Sequence, residues 1–386
     1  MAALRVRMSL QAIGRKLRGI DYSLLLTVAI LVVIGLVMVY SASFGLDMEK
    51  LGQPTTHFLV RQVIWCAIGA VALVAMALID YQAWRRWALP IMAGALAVLA
   101  ALALVGIIRR WRGGEEVAVR WVLGTSVQPS EFVKLAVIIY VAAWLASKGD
   151  KIQQLTYGVV PFAIMLGLVT GLILLQPNMS TALLIGATAV AMFFVAGAKI
   201  AQLVIGFVLV GPLVALLVWV APYRLQRVAT LISNPLSDPW GPGYQTVRAI
   251  YALQAGGIRG VGLGASVQKM GYLYAPHTDA IFAIIGEELG LIGGVAILAL
   301  YVALAYRGLR IALASQDPFG ALLATGVTSW LTLQAMLHIA VVTATVPFTG
   351  ITLPFVSFGG SSLVASLAGI GLLLSISRGS QARYSR

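Results

Sequence analysis

Between Ser23 and Ala42 the chain reads SLLLTVAILVVIGLVMVYSA, twenty consecutive residues without a charge. A helix needs about 20 apolar residues to cross the hydrocarbon core of a bilayer. Inside lipid, only helices and closed barrels satisfy their own backbone hydrogen bonds. Comparable runs follow at 58–79, 87–108, 131–147, 156–175, 180–197, 200–221, 280–306, 318–346 and 361–378, and none alternates polar with apolar residues as a barrel strand does. The runs predict an all-α polytopic membrane protein of about ten transmembrane helices. Composition agrees, because 10% of the 386 residues are charged and 60% are hydrophobic, whereas a soluble domain carries roughly 25% charged residues.

The first run follows five cations (Arg5, Arg7, Arg15, Lys16, Arg18) and precedes YSASFG, a layout similar to a cleavable signal peptide. Its length and the spans after it favour an uncleaved first helix. Cys66, the single cysteine, falls inside a span, offers no internal disulfide and reads as packing. The net charge of +14 suits loops that face anionic lipid headgroups and calls for no nucleic acid.

An even number of spans puts both termini on one side. Fifteen Lys and Arg gather there, in the two tails and at Arg85, Arg86, Lys148, Lys151, Lys199, Arg307 and Arg310, which marks that side as cytoplasmic. The expected organisation is one domain, 1–386, with cytoplasmic tails at 1–22 and 379–386 and a large extracytoplasmic loop at 222–279. Nine cations run against the bias: Arg109, Arg110, Arg112 and Arg120 before span 4, and Arg224, Arg227, Arg248, Arg259 and Lys269 in the long loop. Long loops translocate whatever their charge; the other reading is a basic cavity that binds an anion such as a lipid diphosphate. The long loop carries turn signals (NPLSDPWGPGYQ) and then AGGIRGVGLGASVQK. Those glycines lack the Lys-Ser/Thr ending and flanking strand of a phosphate loop. They suit a tightly turned or re-entrant segment lying against a helix or ligand.

Ionisable groups inside spans are costly, and by default paired or functional. Glu131 and Lys134 share one helix face and can pair, with Ser130 as the expected N-cap. Such a pair either staples the helix end or belongs to a site. Glu287 and Glu288 lie about 12 Å deeper than Asp279 by helical rise, between Gly286 and Gly290, and mark a close helix contact or a site. His338 reads as a core histidine bonded to a neighbouring helix. Asp279, in YAPHTDAIFAIIGEELG, opens span 8. It either caps that helix together with Thr278 or serves as a reactive carboxylate. No HExxH or GxSxG pattern occurs, and His57, His277, His338 and Cys66 make no metal-binding pattern.

The segments GYLYAPHTDAIFAIIGEELGLIGG, VRWVLGTSVQPSEFVKLAV, QPNMSTALLI and VPFTGITLPFVSFGGSS closely resemble signature segments of the SEDS (shape, elongation, division and sporulation) family. AMFFVAGAK and NPLSDPWGPGYQ are most similar to its cell-division branch, FtsW, rather than its elongation branch, RodA. The resemblance implies a ten-helix enzyme of the bacterial cytoplasmic membrane that polymerises lipid II into glycan strands. It also implies a class B penicillin-binding protein, a transpeptidase, as partner, alongside other division proteins. It places the catalytic aspartate at Asp279. Substrate-binding positions are implied at Arg120, Trp121, Glu131, Lys134, Lys269, His277, Thr278, Ser357, Gly359 and Ser361, with Pro354 and Gly360 in the last motif. A divalent cation, Mg or Mn, is an optional cofactor. The alternatives are a lipid II flippase and an elongation-type polymerase; inverted repeats and broken midplane helices, expected of alternating-access transporters, are not found in the sequence. Three departures from the family pattern fall at Asn178–Ser180, Pro276 and His338.

Overall fold

The computed structural model describes residues 19–49, 55–112, 127–219, 225–226, 229, 240–241 and 243–384. Every apolar run coincides with a helix: α1 (Tyr22–Glu49), α2 (His57–Leu78), α3 (Tyr81–Trp111), α4 (Pro129–Lys148), α5 (Val160–Leu174), α6 (Met179–Val195) and α7 (Ile200–Trp219). After α8 (Tyr244–Gly256), which lies within the expected long loop, come α9 (Ile281–Ala314), α10 (Pro318–Val342) and α11 (Gly360–Tyr384). Eight of the described helices are long and apolar enough to cross a membrane, and α6 and the described part of α7 are shorter apolar helices. The protein is a multi-pass helical membrane protein. α11 continues to Tyr384, into the segment expected as the tail at 379–386.

Local chemistry sets the helix starts. Pro129 and Pro318 open α4 and α10, where the missing N–H is one no helix could use. Asp317 accepts from Gly320 N at 3.0 Å and so caps α10. Asn178 caps α6, accepting from Thr181 N at 3.4 Å, which gives that departure a structural role. The N-cap of α4 is Gln128, and Ser130, expected there, is buried within the first turn. Proline forces the start two residues earlier because its fixed φ already belongs to the helix.

Helix α11 is the innermost helix, almost wholly buried, whereas α2 and α3 expose most of their length. Gly371 lets α11 approach the backbone of α2 at Leu73, the close packing that small residues permit between membrane helices. Polar ties clamp the end of the bundle that carries Asp21: Arg307 Nη2 to Asp21 Oδ2 at 2.6 Å joins α9 to α1. Tyr81 OH donates to Asp317 Oδ1 at 2.5 Å, joining α3 to the start of α10.

Helix α9 is broken. At Gly290 the backbone turns to φ 67°, ψ −164°, about 14 Å below the helix start by helical rise. A break orphans backbone groups that must be paired elsewhere, and the glycine-rich segment after α8 supplies the partners. Val261 N and Gly262 N donate to Glu287 O and Glu288 O, each at 3.0 Å, and Leu291 N donates to Gly257 O at 2.9 Å. Gly260, at φ 79°, brings its Cα so close to Glu288 O that a side chain has no room. The tightly turned segment read from the sequence is an insert in a helix break.

Candidate active site

Asp279 ends the turn that leads into α9, and it is half-buried. The N-cap of α9 is Ala280, one residue beyond Asp279 and two beyond Thr278, the side chains that the sequence offered as caps. Thr278 Oγ1 instead donates to Ala275 O at 3.1 Å, the carbonyl that also accepts from Thr278 N and Asp279 N. Ala275 itself holds φ 50°, a left-handed conformation unfavourable for any residue with a Cβ. The Asp279 carboxylate lies against Gly350: a Cβ built there would sit 2.9 Å from Oδ2.

The cradle for this segment is the stretch between α10 and α11. Ser357 Oγ donates to Thr278 O at 2.7 Å and accepts from Leu353 N at 2.8 Å, while Phe358 N donates to His277 O at 2.8 Å. Tyr301 OH donates to Pro354 O. His338 Nδ1 lies 2.7 Å from Ile351 O, so its partner is this loop and not the neighbouring helix expected from the sequence. The His277 ring packs between Phe58 and Phe358, with centroids 4.3 and 5.5 Å away. Burial there lowers its pKa to about 4, so it is neutral at neutral pH, and its Nδ1 has no hydrogen-bond partner.

A buried polar ladder ties the cradle to α4. Lys134 Nζ is 2.9 Å from Glu131 Oε2 and donates to Gln334 Oε1 at 2.8 Å. Trp330 Nε1 reaches the same oxygen at 2.8 Å, and Gln334 Nε2 donates to Thr352 O at 2.9 Å. Thr352 Oγ1 then meets Ser362 Oγ at 2.9 Å. Ser361 Oγ, in the first turn of α11, accepts from Gln128 N at 2.9 Å, and Gly359 approaches the Thr352 methyl. Glu131 and Lys134 thus fix the segment bearing Gly350, two residues before Thr352, and reach Asp279 through it. Gln334, Thr352 and Gly350 were not singled out from sequence; the signal available for Gln334 was an amide inside an apolar run.

Lys269 is placed elsewhere. It is sealed in the interior beside Glu288, at 2.7 Å, and is no exposed cation for a substrate; the physical reason is the helix break, which draws residues 264–269 against α9. Ser266 Oγ and Val267 N donate to the neighbouring Glu287 carboxylate at 2.5 and 2.9 Å. Glu287 and Glu288 therefore mark a close contact. Arg120 and Trp121 lie outside the described residues. Among the described residues no three His, Cys, Asp or Glu side chains gather to hold a metal ion.

The family model described as "Cell cycle protein", FtsW/RodA/SpoVE, matches residues 22–382. The chain belongs to this family. Among curated FtsW/RodA/SpoVE proteins it is 41% identical over 366 residues to a protein of Trichlorobacter lovleyi named "Probable peptidoglycan glycosyltransferase FtsW", with 94% of each chain covered. It is also 41% identical over 368 residues to the "Stage V sporulation protein E" of Bacillus subtilis, covering 93% of this chain and 97% of that one. Among solved structures it matches one described as "Structural coordination of polymerization and crosslinking by a peptidoglycan synthase complex", with TM-score 0.75 and 28% identity over 94% of this chain and 98% of that one. The rod shape determining protein RodA of Thermus thermophilus matches with TM-score 0.66 and 26% identity, over 93% and 97% of the two chains. The SEDS resemblance and the helical membrane fold stand on these matches.

Proposed function

We propose that the protein is a peptidoglycan glycosyltransferase that polymerises lipid II at the outer face of the bacterial cytoplasmic membrane during cell division, with both termini in the cytoplasm. The carrying observation is a half-buried aspartate, Asp279, set one residue before the N-cap of α9 and held on a cradle tied into the membrane bundle. The names of the FtsW relatives supply the reaction class. In the reaction, the acceptor sugar's 4-hydroxyl attacks the donor's anomeric carbon. Its proton passes to the Asp279 carboxylate as general base. The new C–O bond forms as the bond to diphosphate breaks, and the electron pair leaves with the diphosphate, whose charge a preorganised cation stabilises.

A polymerase leaves its strands uncrosslinked, so the reading includes a class B penicillin-binding protein as partner. The outward face of α9 after the break supports a docking helix: Leu291, Val295, Val302, Leu309 and Leu313 are all exposed on one helical stripe. The test is Asp279→Asn, which keeps shape and removes the charge. Purified with its partner and labelled lipid II, the variant is expected to fold, bind the partner and form no glycan ladder. Normal ladders from it refute the assignment, and a flippase without chemistry then becomes the better reading.

A further inference from the structure

The loop cations divide into two kinds. Lys269 is neutralised by Glu288 and sealed, but Arg248, on α8, pairs with no carboxylate among the described residues. Its guanidinium carbon lies 5.3, 5.0 and 4.9 Å from the ring centroids of Trp240, Tyr244 and Tyr272. Tyr244 precedes it by one helical turn, and Tyr272 comes from the segment running to Asp279, which Gln245 Oε1 anchors to α8 by accepting from Tyr274 N at 3.1 Å. Aromatic faces stabilise a guanidinium without cancelling its charge. These ring contacts use up no N–H donor, and Nε is buried with no hydrogen-bond partner. The box is open to its surroundings, because Trp240 is 78% and Tyr272 42% exposed.

We propose that Arg248, boxed by Trp240, Tyr244 and Tyr272, is a binding subsite for a lipid-borne phosphate. An oriented guanidinium edge matches two phosphate oxygens at once, and an unpaired buried N–H gains more from such a ligand than a solvated one does. Tryptophan and tyrosine are the side chains that settle at headgroup level, where a lipid phosphate lies. Two lipids carry this chemistry: a polyprenyl diphosphate, as in the donor substrate, and an anionic phospholipid. The first identification rests on the glycosyl-transfer reading; the phosphate site itself does not.

The test uses the full-length protein in phosphatidylcholine nanodiscs, titrated with farnesyl diphosphate, and the same protein in discs containing phosphatidylglycerol. Arg248→Gln is expected to weaken farnesyl diphosphate binding at least about tenfold, the loss of one charge-assisted hydrogen bond, with Arg248→Lys in between. A loss confined to phosphatidylglycerol assigns the subsite to bulk lipid. Unchanged affinity for both probes makes Arg248 a structural strut and overturns the proposal. A second measurement leaves Arg248 in place: a photo-crosslinking aromatic residue at the exposed Trp240 position should capture radiolabelled farnesyl diphosphate or a phosphatidylglycerol probe, with unlabelled lipid competing. Absence of competed capture with either also overturns it. Neither measurement requires polymerisation, and Asp279→Asn should bind both probes as the parent does, so failure here is separable from failure of the catalytic reading.

Discussion

Lys269 Nζ lies 2.7 Å from Glu288 Oε1, with neither side chain more than 1% exposed. The ammonium also donates to Gly264 O at 2.7 Å and Ser41 Oγ at 3.0 Å, and Ser41 Oγ donates to the Glu288 carboxylate at 2.7 Å. One buried pair therefore joins α1, α9 and the inserted loop. Removing one partner strands a buried charge, at a cost of about 3–5 kcal/mol. Lys269→Met should lower the thermal unfolding midpoint in detergent by an amount matching that loss. Lys269→Met combined with Glu288→Leu should lose less than the two single changes summed. An unchanged midpoint in Lys269→Met would contradict this account.

The α9 break makes a second prediction. Gly290 sits at φ 67°, and an added Cβ would meet Ile258 O at 2.5 Å. Gly290→Ala forces an L side chain into a φ, ψ region open essentially to glycine alone, which costs on the order of 1–3 kcal/mol, and pushes against the insert. Hydrogen exchange at Val261 and Gly262, whose amides bond Glu287 O and Glu288 O, should quicken in that variant. Unaltered protection at both amides would show that the insert does not depend on the break.

The helices were legible because a membrane span is a local property: twenty apolar residues identify themselves without knowledge of any neighbour. Asp279 was legible through its motif. Its relation to Gly350 was not, since 71 positions separate the two in sequence and glycine carries no chemistry to mark it. Lys269 misled for a related reason. A cation in a basic loop reads as solvent-facing until the break at Gly290 draws it beside Glu288. The Glu131–Lys134 pair was readable from its spacing of three, whereas its extension through Gln334 to Thr352 needed the packing of α10 on α4. The N-cap fell at Ala280, one residue past Asp279 and two past Thr278, because the turn from Ala275 uses backbone bonds that no side chain announces.

Gly350→Ala tests the cradle. Its backbone needs no unusual φ, so the change should leave folding and partner binding intact, while the new Cβ, 2.9 Å from Asp279 Oδ2, displaces the carboxylate. Misplacing a reacting group by about 1 Å can cost on the order of 10²-fold in rate, and glycan ladders should weaken on that scale. Gly359→Ala, whose Cβ would stand 3.4 Å from the Thr352 methyl, is the milder control. Equal activity in the two variants would remove Gly350 from the site's geometry.

His277 predicts a pH dependence of known sign. Its folded pKa is lowered to about 4 from the ordinary 6.5 because burial penalises the charged ring. Between those values the unfolded chain binds the proton and the folded chain does not, so stability rises with pH. The contribution is complete above about pH 6.5 and is lost as pH falls towards 4. A protonated ring would lie buried against Phe58 and Phe358 with Nδ1 unpartnered, and its desolvation makes the charged form the disfavoured one. The phenylalanine variant, His277→Phe, keeps an aromatic ring there and cannot titrate. Thermal unfolding of both proteins from pH 7.5 to 4.5, a window chosen to span roughly the ordinary value and the lowered one, should show a steeper decline for the parent. Parallel curves would mean that His277 does not carry this proton linkage.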